Sequence, residues 1–81
     1  MRVRVKLFAD LREALGTGDL ELELGPAATI EAAWNALVER QPLLAPRRQN
    51  LATAVNRRYV RWEERLHDGD ELVFVPPVSG G

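Results

Sequence analysis

The sequence predicts an α+β domain in which a mixed sheet packs on one main helix. MRVRVKLF at 1–8 and LELEL at 20–24 alternate polar and apolar residues, a pattern typical of half-buried strands. Residues 30–38 carry apolar side chains at spacings of three and four, which predicts an amphipathic helix. LVFV at 72–75 is apolar on both faces, and such a strand belongs in the centre of a sheet.

The first two strands are predicted to be joined by a short helical loop at 10–16. Asp10 is a candidate helix cap there, and Gly16 can end the helix in a left-handed conformation. The residues expected to face inward are Val3, Val5 and Leu7 in the first strand and Leu20, Leu22 and Leu24 in the second.

The main helix has recognisable signals at both ends. Thr29 is a predicted N-cap, Glu31 lies in the positively polarised first turn, and Pro42 forbids continuation of the helix. Residues 41–50 then read as an irregular connector, with Leu43 and Leu44 expected to close the end of the core.

The second half of the chain predicts three short strands. LATAVN at 51–56 and YVRW at 59–62 flank a turn at 56–58, and Asp68-Gly69 marks a reversal before LVFV. Asp68-Gly69-Asp70 is interpreted as a turn, since too few acidic groups are present for a calcium loop. Trp34 and Trp62 are expected in the core.

The order of these elements predicts a β-grasp, the ubiquitin-like architecture. The first and last strands would form a central parallel pair, because the helix lies between them in sequence. Residues 1–75 form a single β-grasp domain in this prediction. Residues 76–81 form a flexible C-terminal tail, since Pro76 and Pro77 have no N–H to donate to a sheet.

Composition excludes several classes of function. The 81 residues carry a formal net charge of −1, which argues against a general nucleic-acid binder. There is no cysteine, so a disulfide framework and a thiolate metal site are excluded, and the lone His67 cannot form a metal site by itself. No apolar run is long enough to span a membrane, and the start of the chain lacks a signal-peptide pattern, so we expect a cytoplasmic protein.

The tail contains the candidate reactive residues of the chain. Gly80 and Gly81 have no side chains, so they could enter a channel too narrow for other residues. The whole tail of six residues, 76–81, can extend to at most about 20 Å. A carboxylate becomes reactive only as an acyl phosphate or acyl adenylate, which requires ATP and another protein. The sequence has neither a phosphate-binding glycine loop nor a nucleophile with a nearby base.

Four motifs resemble the small-subunit family of molybdopterin synthase, a group of ubiquitin-like sulfur carriers. They are LFADLRE at 7–13, AVN at 54–56, DGDE at 68–71 and PPVSGG at 76–81. The resemblance spans the whole chain. DGDE and the terminal GG are shared with other sulfur carriers, including the thiamin-pathway carrier, whereas the other blocks are more particular to the molybdopterin branch. The entry to the main helix, GPAATIEAAW, is less typical of the family.

The resemblance implies a mechanism in which Gly81 is a co-substrate. A ubiquitin-activator-like (E1-like) adenylating enzyme would join the Gly81 carboxylate to AMP, and a sulfur donor protein would convert it to a thiocarboxylate. The tail Pro76, Pro77, Val78, Ser79 and Gly80 would insert into the large synthase subunit, where sulfur passes to cyclic pyranopterin monophosphate. Two carriers and two large subunits would form a heterotetramer in molybdenum-cofactor biosynthesis. Catalytic side chains would belong to the partner, and this chain would bind no cofactor or metal itself.

Strand alternation also predicts a partner-binding surface. Phe8, Tyr59, Val73 and Val75 would share the open face of the sheet next to the tail, and a monomer rarely exposes such a patch without a reason. We expect them to form the hydrophobic centre of the partner interface, ringed by arginines. The alternative for Phe8 is burial under the 10–16 loop. The plain role of Arg4 and Lys6 is cross-strand pairing with Glu21 and Glu23. Arg57-Arg58 is either a solvated turn or a contact to an acidic partner.

Other functions remain open from the sequence. The chain could be a sulfur carrier for thiamin or tRNA thiolation, a protein modifier joined to lysines through Gly81, or a binding domain whose tail has no role.

Overall fold

The computed structural model describes residues 1–76, and these contain every predicted strand and the main helix. The predictions for the tail concern residues outside this range, namely Pro77, Val78, Ser79, Gly80 and Gly81. The elements in chain order are β1 (Arg2–Lys6), α1 (Ala9–Leu15), β2 (Asp19–Glu23), α2 (Ile30–Arg40), a 3-10 segment (Pro42–Asn50), β3 (Ala52–Val55), β4 (Arg58–Val60) and β5 (Glu71–Val75).

The strands form a mixed sheet in the order β2-β1-β5-β3-β4. The pair β1–β5 is parallel, and the other neighbours are antiparallel. The prediction of a central parallel pair is therefore confirmed, with β5 in the middle of the sheet. A parallel pair needs a crossover connection, and α2 provides it.

One face of this sheet packs on α2 to form the core. Val3, Val5 and Leu7 alternate inward from β1 and its end, and Leu72 and Phe74 do so from β5. The helix contributes Ile30, Ala33, Trp34 and Leu37 from one stripe. Two layers around one core reproduce the predicted β-grasp.

An aromatic cluster closes the core between α2 and the sheet. The Trp34 ring lies edge-on to Phe74 at a centroid distance of 5.1 Å and to Trp62 at 6.1 Å. Arg48 covers the outer side of Trp62, with its guanidinium carbon 4.3 Å from the ring centroid. Trp34 is fully buried and Trp62 partly so, which confirms their placement in the core.

Helix α2 begins as predicted. The Thr29 hydroxyl accepts a hydrogen bond from the Ala32 N–H at 3.2 Å. Two further N–H groups, those of Ile30 and Glu31, donate to the carbonyl oxygens of Glu64 and Trp62 at 3.1 Å each. The first turn of the helix is thus fastened to the segment between β4 and β5.

The connector after α2 differs from the prediction in two respects. It forms 3-10 turns instead of an irregular chain, and Leu43 is 80% exposed whereas Leu44 is buried. Because a 3-10 helix has about three residues per turn, adjacent side chains point in very different directions. Only one of the two leucines can therefore face the core.

Helix α1 is capped differently from the prediction. Phe8 is the N-cap residue and makes no side-chain cap, while Asp10 lies inside the first turn. The Asp10 carboxylate instead forms a salt bridge with Arg47 of the 3-10 segment at 2.9 Å. The end of α1 is as expected, with Gly16 in the left-handed region at φ 74°.

Two turns in the second half are tied together by side chains. The Asn56 side-chain amide donates to Asp70 Oδ1 at 2.9 Å, and its carbonyl oxygen accepts from the Glu71 N–H at 3.0 Å. Asp70 Oδ2 accepts from the His67 N–H at 2.7 Å. The β3–β4 turn is thereby joined to the turn before β5, which explains the AVN and DGDE motifs as structural and confirms the turn at 68–70.

Candidate functional site

The face of the sheet opposite α2 is open, and the strand register divides it into two parts. One row of paired residues crosses the strands from Lys6 through Val73 and Ala54 to Tyr59. Charged side chains lie on the side of this row where β5 begins, and apolar side chains lie where β5 ends. The division follows from the sequence, because β1 carries Arg2 and Arg4 near its start and is followed by the apolar residues Leu7 and Phe8.

The charged part is built on β1 and β2. Arg2 contacts Glu21 at 3.6 Å and Glu23 at 3.4 Å, and Lys6 Nζ lies 3.9 Å from Glu71 Oε2. Cross-strand pairing of basic and acidic residues was expected, but the partners differ from the prediction. Arg2 takes both glutamates of β2, while Lys6 turns toward β5. Among the described residues, no salt bridge of Arg4 is found.

The apolar part contains the four residues predicted for the partner interface, and we call Phe8, Tyr59, Val73 and Val75 the apolar patch. Phe8 is 48% exposed and Tyr59 is 72% exposed. Val73 and Val75 are half-buried and alternate along β5 with Leu72 and Phe74, whose side chains are fully buried on the other face. The alternative of Phe8 folding under α1 is not found. The role of the patch in binding stays a prediction.

Backbone conformation holds Phe8 in this exposed position. Its φ and ψ of −128° and 162° are extended, so Phe8 continues the line of β1 past the buried Leu7. Its carbonyl oxygen accepts from the N–H groups of Leu11 and Arg12 at 3.2 and 3.4 Å, which starts α1 immediately afterwards. The change from strand to helix therefore fixes the Phe8 side chain outside the core.

The path of the tail begins beside the apolar patch. Pro76 follows Val75 and lines a shallow depression with Asp10, Arg47, Asn50 and Leu51. The Asp10–Arg47 salt bridge forms part of this wall. Sequence reasoning missed Arg47 and Asn50, because nothing in the pattern of the connector indicates that it returns to the end of β5.

A metal-binding cluster and a membrane-spanning helix are both absent from the described part of the chain. In residues 1–76, no group of three or more His, Asp or Glu side chains is arranged to hold a metal ion. None of the helices described is long and apolar enough to cross a membrane. What residues 1–76 present is an open, half-apolar face of the sheet, and the central strand of this sheet leads directly to the C-terminal residues.

Residues 5–81 of the chain match the ThiS family. The molybdopterin synthase sulfur carrier subunit of Chlamydomonas reinhardtii is 35% identical over 83 residues, covering 100% of both chains. That of Escherichia coli is 36% identical, covering 98% of this chain and 99% of the relative. Small archaeal modifier protein 1 of Haloferax volcanii is 34% identical, covering 94% and 97%.

Solved structures show the same fold. The crystal structure of SAMP1 from Haloferax volcanii superposes with a TM-score of 0.87 at 32% identity, covering 100% of both chains. The similar chain in the crystal structure of the Amycolatopsis orientalis BexX/CysO complex has a TM-score of 0.74 at 27% identity, covering 98% and 99%. The ubiquitin-like β-grasp is thus confirmed.

Proposed function

Because this chain belongs to the ThiS family, we propose that it is the sulfur-carrier subunit of a molybdopterin synthase. Its substrate-like group is the carboxylate of Gly81. The observation that carries the proposal is the position of the apolar patch, at the end of the central strand from which the Gly-Gly residues follow. The full-length similarity to molybdopterin synthase sulfur carrier subunits supports this choice of pathway.

The proposed reaction begins with activation of Gly81 by an E1-like adenylating enzyme. A carboxylate oxygen attacks the α-phosphorus of ATP, and pyrophosphate leaves, which produces an acyl adenylate. A sulfur donor protein then supplies sulfide (HS⁻), which attacks the acyl carbon and displaces AMP, with its proton passing to solvent. The product is a thiocarboxylate on Gly81, and ATP is consumed by the partner and not held by this chain.

The loaded carrier then docks on the large subunit of the synthase. Burial of the apolar patch would supply the hydrophobic centre of that interface, with the charged half of the sheet at its rim. The sulfur atom passes to cyclic pyranopterin monophosphate inside the large subunit, whose side chains catalyse the transfer. In this proposal two carriers and two large subunits form a heterotetramer in the cytoplasm, and the carrier contributes no catalytic side chain.

A second candidate is a protein modifier joined to lysines through Gly81. It is favoured by the relative named small archaeal modifier protein 1 and by the structural match to SAMP1. Carriers for thiamin or tRNA thiolation would use the same activation chemistry, and they would differ in the acceptor.

Intact-mass measurement tests the proposal. The full chain is incubated with the adenylating enzyme of its own genome, ATP and a sulfur donor. We expect the mass to rise by the difference between one sulfur and one oxygen atom, located at Gly81. Addition of the large subunit and cyclic pyranopterin monophosphate should return the original mass. Conjugates to lysines of other proteins would favour the modifier, and an unchanged mass with active enzymes would contradict both functions.

A further inference from the structure

The amino groups of this chain are unusually few. Ten of its eleven basic residues are arginine, so Lys6 is the single lysine. Guanidinium groups stay protonated in proteins and do not act as nucleophiles toward acyl groups. The amines to consider are therefore the Lys6 side chain and the amino group of Met1.

The Met1 amino group is held in a hydrogen bond and an ion pair, which make it a poor nucleophile. It donates a hydrogen bond to the Leu24 carbonyl oxygen at 2.7 Å and lies 3.7 Å from Glu23 Oε2. The Leu24 N–H in turn donates to the Met1 carbonyl at 2.8 Å, and the Met1 side chain is only 9% exposed. This amine is thus fastened at the far end of β1 from the exit of the tail.

Lys6 is placed in the opposite way. Its side chain is 45% exposed, and its long contact of 3.9 Å with Glu71 Oε2 leaves Nζ accessible. Lys6 pairs with Val73, two residues before β5 ends at Val75. Since β1 and β5 are parallel, Lys6 lies at the end of the sheet from which the C-terminal residues depart.

From this placement we propose that Lys6 Nζ is an acylation site for an activated glycine carboxylate, either the chain's own Gly81 or that of a second copy. The six residues after Val75 can span up to about 20 Å, which brings Gly81 within reach of Lys6 in the same chain. The inference rests on the proposed activation of Gly81. A partner seated on the apolar patch would also cover Lys6, so acylation would be confined to the unbound carrier.

The reaction is an ordinary aminolysis. The free amine of Lys6 attacks the acyl carbon, a C–N bond forms, and the bond from that carbon to its leaving group breaks. AMP departs from an adenylate, or a thiolate from a thioester, and the amine proton passes to solvent. The product is an isopeptide bond, and no oxidant or reductant is needed.

A chemical thioester tests the site without the activating enzyme. The full chain carrying Gly81 as a mercaptoethanesulfonate thioester is incubated at mildly alkaline pH and followed by intact mass. We expect loss of the thiol to give a cyclised monomer from the chain's own Gly81, or a covalent dimer from a second copy whose share rises with protein concentration. Tryptic mapping should find residues 66–81 attached to Lys6 in either product.

Two variants make the result decisive. Lys6→Arg keeps the positive charge beside Glu71 and should abolish the adduct. The double variant Lys6→Arg/Arg40→Lys keeps one lysine but moves it to the end of α2, and its adduct should fall well below the wild type. Adducts at Met1, hydrolysis without any adduct, or equal yields from the double variant would overturn the inference. Because the thioester bypasses adenylation, such a failure leaves the proposed sulfur-carrier function standing, and a failure of adenylation leaves this test valid.

Discussion

At the scale of single residues, the polar side chains with the most hydrogen bonds hold the fold and take no part in the proposed chemistry. Asn56 and Asp70 connect two turns that are far apart in sequence, and Asp70 is almost completely buried. Buried polar groups of this kind are costly to leave without a partner. Asn56 of the AVN motif and Asp70 of the DGDE motif therefore have a structural explanation.

The first prediction concerns the Asn56–Asp70 hydrogen bond. Asn56→Ala removes the donor to Asp70 and the acceptor for the Glu71 N–H. We expect a loss of about 1–3 kcal/mol in the free energy of unfolding, measured by urea denaturation. The control Asn35→Ala, on the exposed side of α2, should cost nothing. Equal values for the two variants would show that the connection between the turns is dispensable.

The second prediction concerns backbone strain in the β3–β4 turn. Asn56 and Arg57 both have positive φ, at 50° and 69°, and a bulky residue is disfavoured there. Arg57→Gly should relieve this strain and raise stability by up to about 1 kcal/mol, after the entropic cost of glycine. Arg58→Gly, within β4, should instead destabilise the protein. Thermal denaturation of both variants distinguishes them, and destabilisation by Arg57→Gly would contradict the argument.

At the scale of elements, the free N–H groups in the first turn of α2 are satisfied partly by a local cap and partly by tertiary hydrogen bonds. Thr29 caps one N–H of the helix, while the carbonyl oxygens of Glu64 and Trp62 accept from two others. The capping residue could be recognised in the sequence, because its preference is local. The two carbonyls belong to a segment more than thirty residues away, so no local pattern could indicate them.

The third prediction follows from this division. Thr29→Ala should cost about 0.5–1 kcal/mol, at the lower end of the usual range for helix caps, because the other first-turn donors keep their partners. Thr29→Ser retains a hydroxyl acceptor and is the matched control. Chemical denaturation measures both, and a loss for Thr29→Ala much above this range would mean that the carbonyl contacts depend on the cap.

The fourth prediction concerns the strand ends that carry the apolar patch. Phe8→Asp and Val75→Asp should each weaken binding to the large synthase subunit by about 2 kcal/mol or more, roughly thirtyfold in affinity, because a charge would be buried at the interface centre. Leu43→Asp is the control, since Leu43 is 80% exposed but lies on the 3-10 segment outside the patch. Isothermal calorimetry measures the affinities. Undiminished binding of the patch variants, with the fold intact, would refute the patch as an interface.

At the scale of the whole molecule, the residues that stabilise the fold and the residue proposed to react lie in separate parts of the chain. The buried core of the described residues lies between Val3 and Phe74, whereas the proposed chemistry takes place at Gly81. The apolar patch and Lys6 lie between these parts, on the open face of the sheet. Each part can therefore be changed while the other is monitored.

The fifth prediction tests this separation. Deletion of Gly81 should abolish adenylation and sulfur transfer, because the carboxylate would then belong to Gly80 and no longer reach the sites that act on it. The melting temperature should change by less than about 1 °C, since no core residue is removed. Activity assays and calorimetry on the same preparation provide both readings. A large fall in melting temperature would assign the terminus a structural role.

The sequence by itself determined the class of fold, the inward residues of β1 and β5, the start of α2 and the composition of the apolar patch. These depend on alternation, helical spacing and local capping, which act over a few residues and can be read along the chain. Tertiary structure alone decided the choice between Leu43 and Leu44, the Asp10–Arg47 and Lys6–Glu71 ion pairs and the contact of Asn56 with Asp70. Those outcomes depend on which distant segments come within a few ångströms, because hydrogen bonds and ion pairs are short-ranged and their partners here are separated by many residues in sequence.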